Sequence, residues 1–150
     1  MPEKRTIERA QKDKREGKAP STQAGEFVRE EMDHIREGKH GARSAKQAIA
    51  IGLSKARRAG VKLPPPEKGT TSARTRTQAA RDTAKAARPS KAPSPKRSRA
   101  VISALKREGH AAASHTALSR QAHASAKTRG AASRKQAARK AARTRARRSR

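Results

Sequence analysis

The segment Ser44-Ala-Lys-Gln-Ala-Ile-Ala-Ile-Gly-Leu-Ser-Lys-Ala-Arg-Arg-Ala-Gly60 contains the strongest structural signal in this chain. Ser44 and Gln47 have the spacing of a capping box, whose side chains satisfy free backbone N–H groups where a helix begins. Apolar residues then recur on one helical face, and Gly60, followed by prolines at 64–66, prevents continuation. The segment therefore predicts a helix over residues 44–59.

A second amphipathic helix is predicted over residues 21–38, directly before this one. Glu31 lies within its apolar face and therefore needs a basic neighbour. In the later helix, Gly52 predicts close approach by a neighbouring helix. The two helices together predict a helical hairpin over residues 21–63. The apolar face of the first helix consists of Ala24, Phe27, Val28, Met32 and Ile35, and Gly38 ends it.

Alanine accounts for 32 of the 47 apolar residues, beside 40 lysines and arginines and a net charge of +28. Alanine favours helix but buries little surface, and few large apolar residues with high charge are typical of disorder. The predicted fold class is therefore mostly α with extensive disorder and no β-sheet. A charged helix or arm is expected at 1–20, and a low-complexity Ala/Lys/Arg tail at 64–150 with an extended linker near 89–97. Conditional helices are expected in this tail at 70–88, 98–108 and 131–148.

Positive charge is concentrated after residue 40. Residues 1–40 hold ten Lys/Arg and nine Asp/Glu, whereas residues 41–150 hold thirty and three. Such a cationic tail is typical of proteins that neutralise nucleic-acid phosphates. The only aromatic residue, Phe27, belongs to the apolar face, so stacking platforms for unpaired bases are absent and duplex DNA is favoured over RNA.

The predicted function is non-sequence-specific coating or compaction of duplex DNA, as by a histone-like, nucleoid-associated protein in the cytoplasm. The candidate phosphate-binding residues are Arg57, Arg58, Lys62, Arg74, Arg76, Lys96, Arg97, Arg99, Lys106, Arg107, Arg134, Lys135, Arg139, Lys140, Arg143, Arg145, Arg147, Arg148 and Arg150.

Several alternatives stay open at this stage. An RNA- or ribosome-associated basic protein would have the same charge, and a protein-binding adaptor would dock a partner on the hairpin. The hairpin could also dimerise through residues 24–59, or form a helix-turn-helix that reads DNA through Lys46, Lys55 and Arg57. Ser94-Pro-Lys-Arg97 resembles the basic turns of linker-histone tails, which lie along the minor groove.

Other classes of function are not expected. There is no cysteine, so disulfides and thiolate metal sites are excluded. The histidines at 34, 40, 110, 115 and 123 include no i, i+4 pair, so no metal site is predicted. No cofactor, small-molecule substrate or enzymatic activity is expected, because nothing in the pattern buries or orients a catalytic group. The longest apolar run, residues 48–53, is too short to span a membrane, and residues 1–15 contain no apolar signal segment.

Residues 26–66 resemble a family of short, basic, uncharacterised bacterial proteins. The resemblance rests on Lys39-His-Gly41, on Ser44-x-Lys-Gln-Ala-Ile-Ala-Ile51 and on a basic turn at Ala56-Arg-Arg58. It implies a bacterial or phage source and brings no established activity. The tail lies outside this resemblance, and its composition is similar to that of linker-histone tails.

Overall fold

The structure is a computed structural model that describes residues 2–86 and 94–148. Within these ranges the chain forms seven α-helices, one short 3-10 helix and no β-strand. Contacts divide the chain into two compact units, Met1–Leu118 and Ser119–Arg150. The α-helices are α1 (Lys4–Arg15), α2 (Pro20–Arg36), α3 (Ala45–Arg58), α4 (Ala73–Ala86), α5 (Pro95–Lys106), α6 (His115–Thr128) and α7 (Gly130–Arg148), and the 3-10 helix is Ala111–Ala113.

The prediction of extensive disorder with a long tail is wrong. The described part of residues 64–150 is mostly helical, in α4, α5, α6 and α7. The prediction relied on the scarcity of large apolar residues, but residues 105–113 pack on α2 and α3 through alanine methyl groups and backbone hydrogen bonds. Most of the expected linker near 89–97 lies outside the described residues, and Pro95 already begins α5.

Local hydrogen bonds fix both ends of α3. Ser44 Oγ accepts a hydrogen bond from the Gln47 backbone N–H at 3.2 Å, while Gln47 Oε1 accepts from the Arg43 N–H at 2.9 Å. The Gln47 side chain therefore caps the N–H of Arg43, one residue before Ser44, whose N–H a standard capping box would satisfy. At the other end Gly60 adopts φ +89°, and the Val61 N–H donates to the carbonyl of Ala56, which is the Schellman arrangement.

The first core cluster joins α1, α2 and α3 around Phe27, which is 1% exposed. Helix α1 contributes to this cluster, because Ile7 and Ala10 pack into it and Arg9 pairs with Glu26 at 2.8 Å. The cluster consists of Ala10, Ala24, Phe27, Ala56 and Val61, with Ile7, Leu53 and Leu63 packed against it.

The close approach predicted at Gly52 is present. A Cβ added there would lie 2.7 Å from Val28 Cα and 3.0 Å from the carbonyl oxygen of Phe27. Real Cβ atoms do not come this close to backbone, so only glycine lets α3 pack against α2 at this separation.

The second core cluster contains residues far apart in sequence. The 3-10 helix places Ala112 and Ala113 against α2 and α3, with Met32, Ile35, Ala42 and Ala48 as the other buried members. The N–H groups of Gly41 and Ala42 donate to the carbonyls of Leu105 and Gly109, at 2.9 and 3.1 Å. The connection between α2 and α3 is therefore held by chain that comes some 65 residues later.

Helix α4 is held on α3 by Asp82, which is 2% exposed. Its carboxylate accepts hydrogen bonds from Ser54 Oγ at 2.7 Å, Arg58 Nε at 3.0 Å and Gln78 Nε2 at 3.1 Å. Buried charge requires such partners, and Asp82 is one of only three acidic residues after position 40. Asp82, together with the buried Ala79, therefore holds this cationic, alanine-rich helix on the hairpin.

The second unit, Ser119–Arg150, contains most of α6 and all of α7. The described side chains of α7 are exposed, apart from the half-buried Ala141. Among the described residues, no helix combines the length and the apolar character needed to cross a bilayer.

Candidate nucleic-acid interface

Helix α7 is the most cationic element of the chain. Its 19 residues include eight Lys/Arg, and no acidic residue occurs after Glu108. At 1.5 Å per residue the helix is about 28 Å long, so positive charges recur roughly every 3.6 Å along it. Phosphates recur about every 3.4 Å along each strand of duplex DNA. The helix therefore matches the linear charge density of one DNA strand.

Four of these cations share one face of α7. With 100° between successive residues, Arg139, Lys140, Arg143 and Arg147 fall within an arc of roughly 100°. All four side chains are exposed, and none makes a hydrogen bond or ion pair with the described residues. They are thus available to phosphates without first breaking a contact.

Of the remaining α7 candidates, Lys135 borders this face at about 40° from Arg139, whereas Arg134 and Arg145 lie farther round the helix. Arg134, Lys135 and Arg145 are exposed, and Arg134 Nε donates to the Gly130 carbonyl of its own helix at 3.2 Å. Arg148 is the last residue of α7, but its side chain lies outside the described part, as does the whole of Arg150.

The candidate phosphate-binding residues of the first unit are more widely spread along the sequence than those of α7. Most are exposed, whereas Arg76 is half-buried. Arg99 Nε donates to the Pro95 carbonyl at 3.4 Å, within the same helix. The exposed members are Arg58, Lys62, Arg74, Lys96, Arg97, Arg99, Lys106 and Arg107.

Arg57 and Arg58 are occupied by the protein itself. Arg57 is 6% exposed and donates to the carbonyls of Leu63 and Pro64. Burial lowers the pKa of Arg57, an effect that Asp82 partly offsets, and an arginine remains ionised despite such a shift. Arg58 is bound to Asp82 at 3.0 Å. Arg57 would have to leave these acceptors to reach a phosphate, whereas the Arg58 side chain is 54% exposed and uses only its Nε–H on Asp82.

Two of the three residues that the helix-turn-helix alternative assigns to DNA are engaged within the protein. Lys46 is exposed, but Arg57 is buried and Lys55 pairs with Glu31 at 2.7 Å. This ion pair supplies the basic neighbour that Glu31 needs. Helix α3 packs against α2, α4 and the 3-10 helix, so it is the central helix of the unit rather than a free reading helix.

The Ser94-Pro-Lys-Arg97 sequence does not form an extended turn. Ser94 precedes α5 without a side-chain cap, and Pro95 is in the first turn, where its missing N–H is tolerated. Lys96 and Arg97 therefore project from a helix. The resemblance to linker-histone turns does not extend to conformation.

The histidines divide into two groups. His110, His115 and His123 are exposed, but His34 and His40 are half-buried and lie beside the buried Glu31. Sequence spacing missed this cluster, because the i, i+4 rule applies to one continuous helix and Gly38 reverses the chain between the two histidines. Of the described residues, these three are the set that could hold a metal ion.

Comparison with known proteins gives one match. Residues 3–68 match a family of unknown function, DUF6496. The matched range covers α1, α2 and α3, ends before α4 and amounts to less than half of the chain. No curated protein sequence and no solved structure matches significantly. Similarity therefore supports a relationship of the N-terminal part to this family and assigns no activity.

Proposed function

We propose that this protein binds nucleic acid without sequence specificity, principally duplex DNA, through phosphate contacts made by α7. The observation that supports the proposal most is the uncompensated face of α7 formed by Arg139, Lys140, Arg143 and Arg147. Phosphate contacts of this type fix a protein on a duplex but read no sequence. The exposed cations of α5 extend the same chemistry on the first unit.

The burial of Phe27, the only Phe, Tyr or Trp of the chain, favours duplex DNA over single strands as the ligand. Phe27 is buried, and the described part of the chain offers no other aromatic ring apart from histidine for base stacking. Binding of unpaired bases usually needs such platforms. A nucleoid-associated, DNA-coating role follows from this proposal, and we propose a binding protein rather than an enzyme.

Dimerisation through residues 24–59 is not needed for this role. The apolar faces of α2 and α3 are covered by α1, by α4 and by the 3-10 helix of the same chain. A homodimer would have to use their outward, polar faces. The proposed interface is therefore complete in one chain.

The test is fluorescence anisotropy with a labelled duplex, and with a structured RNA of equal length, at about 0.1 M salt. Replacing Arg139, Lys140, Arg143 and Arg147 by glutamine should weaken duplex binding by about tenfold or more. A matched control variant replaces four exposed cations of α1, Lys4, Lys12, Lys14 and Arg15, with the same change in net charge.

The control should keep affinity within about threefold of the unchanged protein if α7 is the contact surface. Equal losses in both variants would show that net charge alone drives binding. Stronger binding to the RNA than to the duplex would replace the proposal with the RNA-associated alternative.

A further inference from the structure

The end of α2 and the turn after it bring two histidines and a glutamate together. His34 lies three residues after Glu31, on the same helical face, and the reversal at Gly38 returns His40 to this face. One donor atom from each of Glu31, His34 and His40 lies within 4.8 Å of the other two. The imidazole rings are nearly perpendicular, with centroids 6.0 Å apart.

Glu31 is a buried carboxylate neither of whose oxygens accepts a hydrogen bond from the described residues, although Oε2 has an ion-pair partner. Its side chain is 1% exposed, and Oε2 lies 2.7 Å from Lys55 Nζ. Oε1 accepts no hydrogen bond from any described residue. A buried anionic oxygen without a donor is unfavourable, so this position favours a cation.

His40 presents its free nitrogen to this oxygen. His40 Nδ1 lies 3.1 Å from the carbonyl oxygen of Gly41, which can only accept. A neutral ring therefore has its proton on Nδ1 and a lone pair on Nε2. That Nε2 lies 3.4 Å from Glu31 Oε1. Two acceptors that face each other repel unless a positive charge lies between them.

The surroundings of His34 are those of a metal ligand. His34 Nε2 lies 2.9 Å from Glu3 Oε1, and ligating histidines commonly donate their second N–H to a carboxylate or a carbonyl. His40 makes the corresponding bond to a backbone carbonyl. A cleft of about 250 Å³ is lined in part by Glu3, His34 and Lys39, so that His34 is the member of the cluster that borders it.

We propose that Glu31, His34 and His40 bind a divalent transition-metal ion. Two imidazoles and one carboxylate form a familiar donor set for Zn²⁺ and related ions, with the remaining position open to water. Lys55 neutralises Oε2 and leaves Oε1 for the metal.

The bound ion would tie the last turn of α2 to the connection before α3. If only the folded state binds the metal, binding stabilises that state by an amount that grows with the logarithm of the ratio of metal concentration to Kd. The site is separate from α7, so its failure or success does not decide the nucleic-acid proposal.

The test uses the full-length, untagged chain after chelator treatment, titrated with Zn²⁺ in a calorimeter. We expect saturation at one ion per chain and a higher thermal midpoint. His34→Ala and His40→Ala should each weaken binding by at least about tenfold. The matched control is His123→Ala, which removes an exposed histidine of α6 and should leave affinity unchanged.

A measurement on the unchanged protein guards against variants that fail to fold. Addition of Zn²⁺ should shift the imidazole NMR signals of His34 and His40 while leaving those of His123 in place. Absence of saturable binding, equal binding by both variants and the control, or shifts confined to the exposed histidines would overturn the proposal.

Discussion

Replacing Gly41 by alanine tests whether the chain after residue 64 is part of the folded core. Gly41 does not have a positive φ, so alanine causes no backbone strain there. A Cβ at this position would instead lie 1.9 Å from the carbonyl oxygen of Glu108 and 2.7 Å from that of Gly109. Both obstacles are backbone atoms, which cannot rotate away. Residues 105–109 would therefore have to separate from the α2–α3 connection.

The structure sets the size of the effect. Separation breaks the hydrogen bonds from Gly41 and Ala42, at about 0.5–1.5 kcal/mol each. It also uncovers the methyl groups of Ala112 and Ala113, at about 0.8 kcal/mol each. Alanine also lowers the conformational entropy of the unfolded chain relative to glycine, which offsets this loss of stability by about 0.4–1 kcal/mol. The expected net loss in the free energy of unfolding is about 2–4 kcal/mol.

The assay is urea denaturation followed by circular dichroism, with Gly25→Ala as the matched control. A Cβ at Gly25, which is exposed within α2, would meet nothing within 4 Å. That change should stabilise the protein by about 0.5–1 kcal/mol, since glycine is a poor helix former. In Gly41→Ala, the Ala42 amide should also lose its protection from hydrogen exchange. If Gly41→Ala were as stable as the unchanged protein, the docking of residues 105–113 would be refuted.

Two further outcomes follow from the same packing. Asp82→Ala removes three hydrogen bonds to a buried carboxylate and should lower the free energy of unfolding, measured by urea denaturation, by about 2–4 kcal/mol. The control Glu67→Ala changes an exposed acidic residue and should alter that free energy by no more than about 0.5 kcal/mol. Equal effects of the two changes would contradict the role of Asp82 in holding α4 on α3. Mixing the full chain with duplex DNA should leave the far-ultraviolet circular dichroism nearly unchanged, because α4–α7 are already helical, and a large gain of helix would contradict the fold.

The positions of the local elements could be predicted from the sequence because their signals are local. The Ser44 cap, the glycine stops and the spacing of apolar residues place α2 and α3 within about two residues of their observed ends. Gly52 and Glu31 likewise pointed to a close helix contact and to a basic partner, and both are present.

The extent of the fold could not be predicted from composition. Counting large apolar residues ignores contacts that alanine, glycine and a single buried acid can make. Ala112 and Ala113 meet α2 only because Gly41 lets backbone approach backbone, and Asp82 acts through Ser54 and Arg58. These pairings join residues about 25 to 80 positions apart, and no local pattern specifies them.

Phosphate binding by the chain after residue 40 stays a prediction from its positive charge, and the structure adds that the described cations of α7 are exposed. Sequence could not show that Arg57 and Arg58 serve internal acceptors, because those acceptors are a later loop and a later helix. Nor could spacing show that His34 and His40 meet across a turn.

The salt dependence of duplex binding by the unchanged protein tests the central claim most directly. If the four cations on the shared face of α7 each neutralise one phosphate, log K should fall against log salt concentration with a slope of about −3.6 or steeper. A slope near zero, or no binding at about 0.05 M salt, would contradict phosphate recognition by this helix.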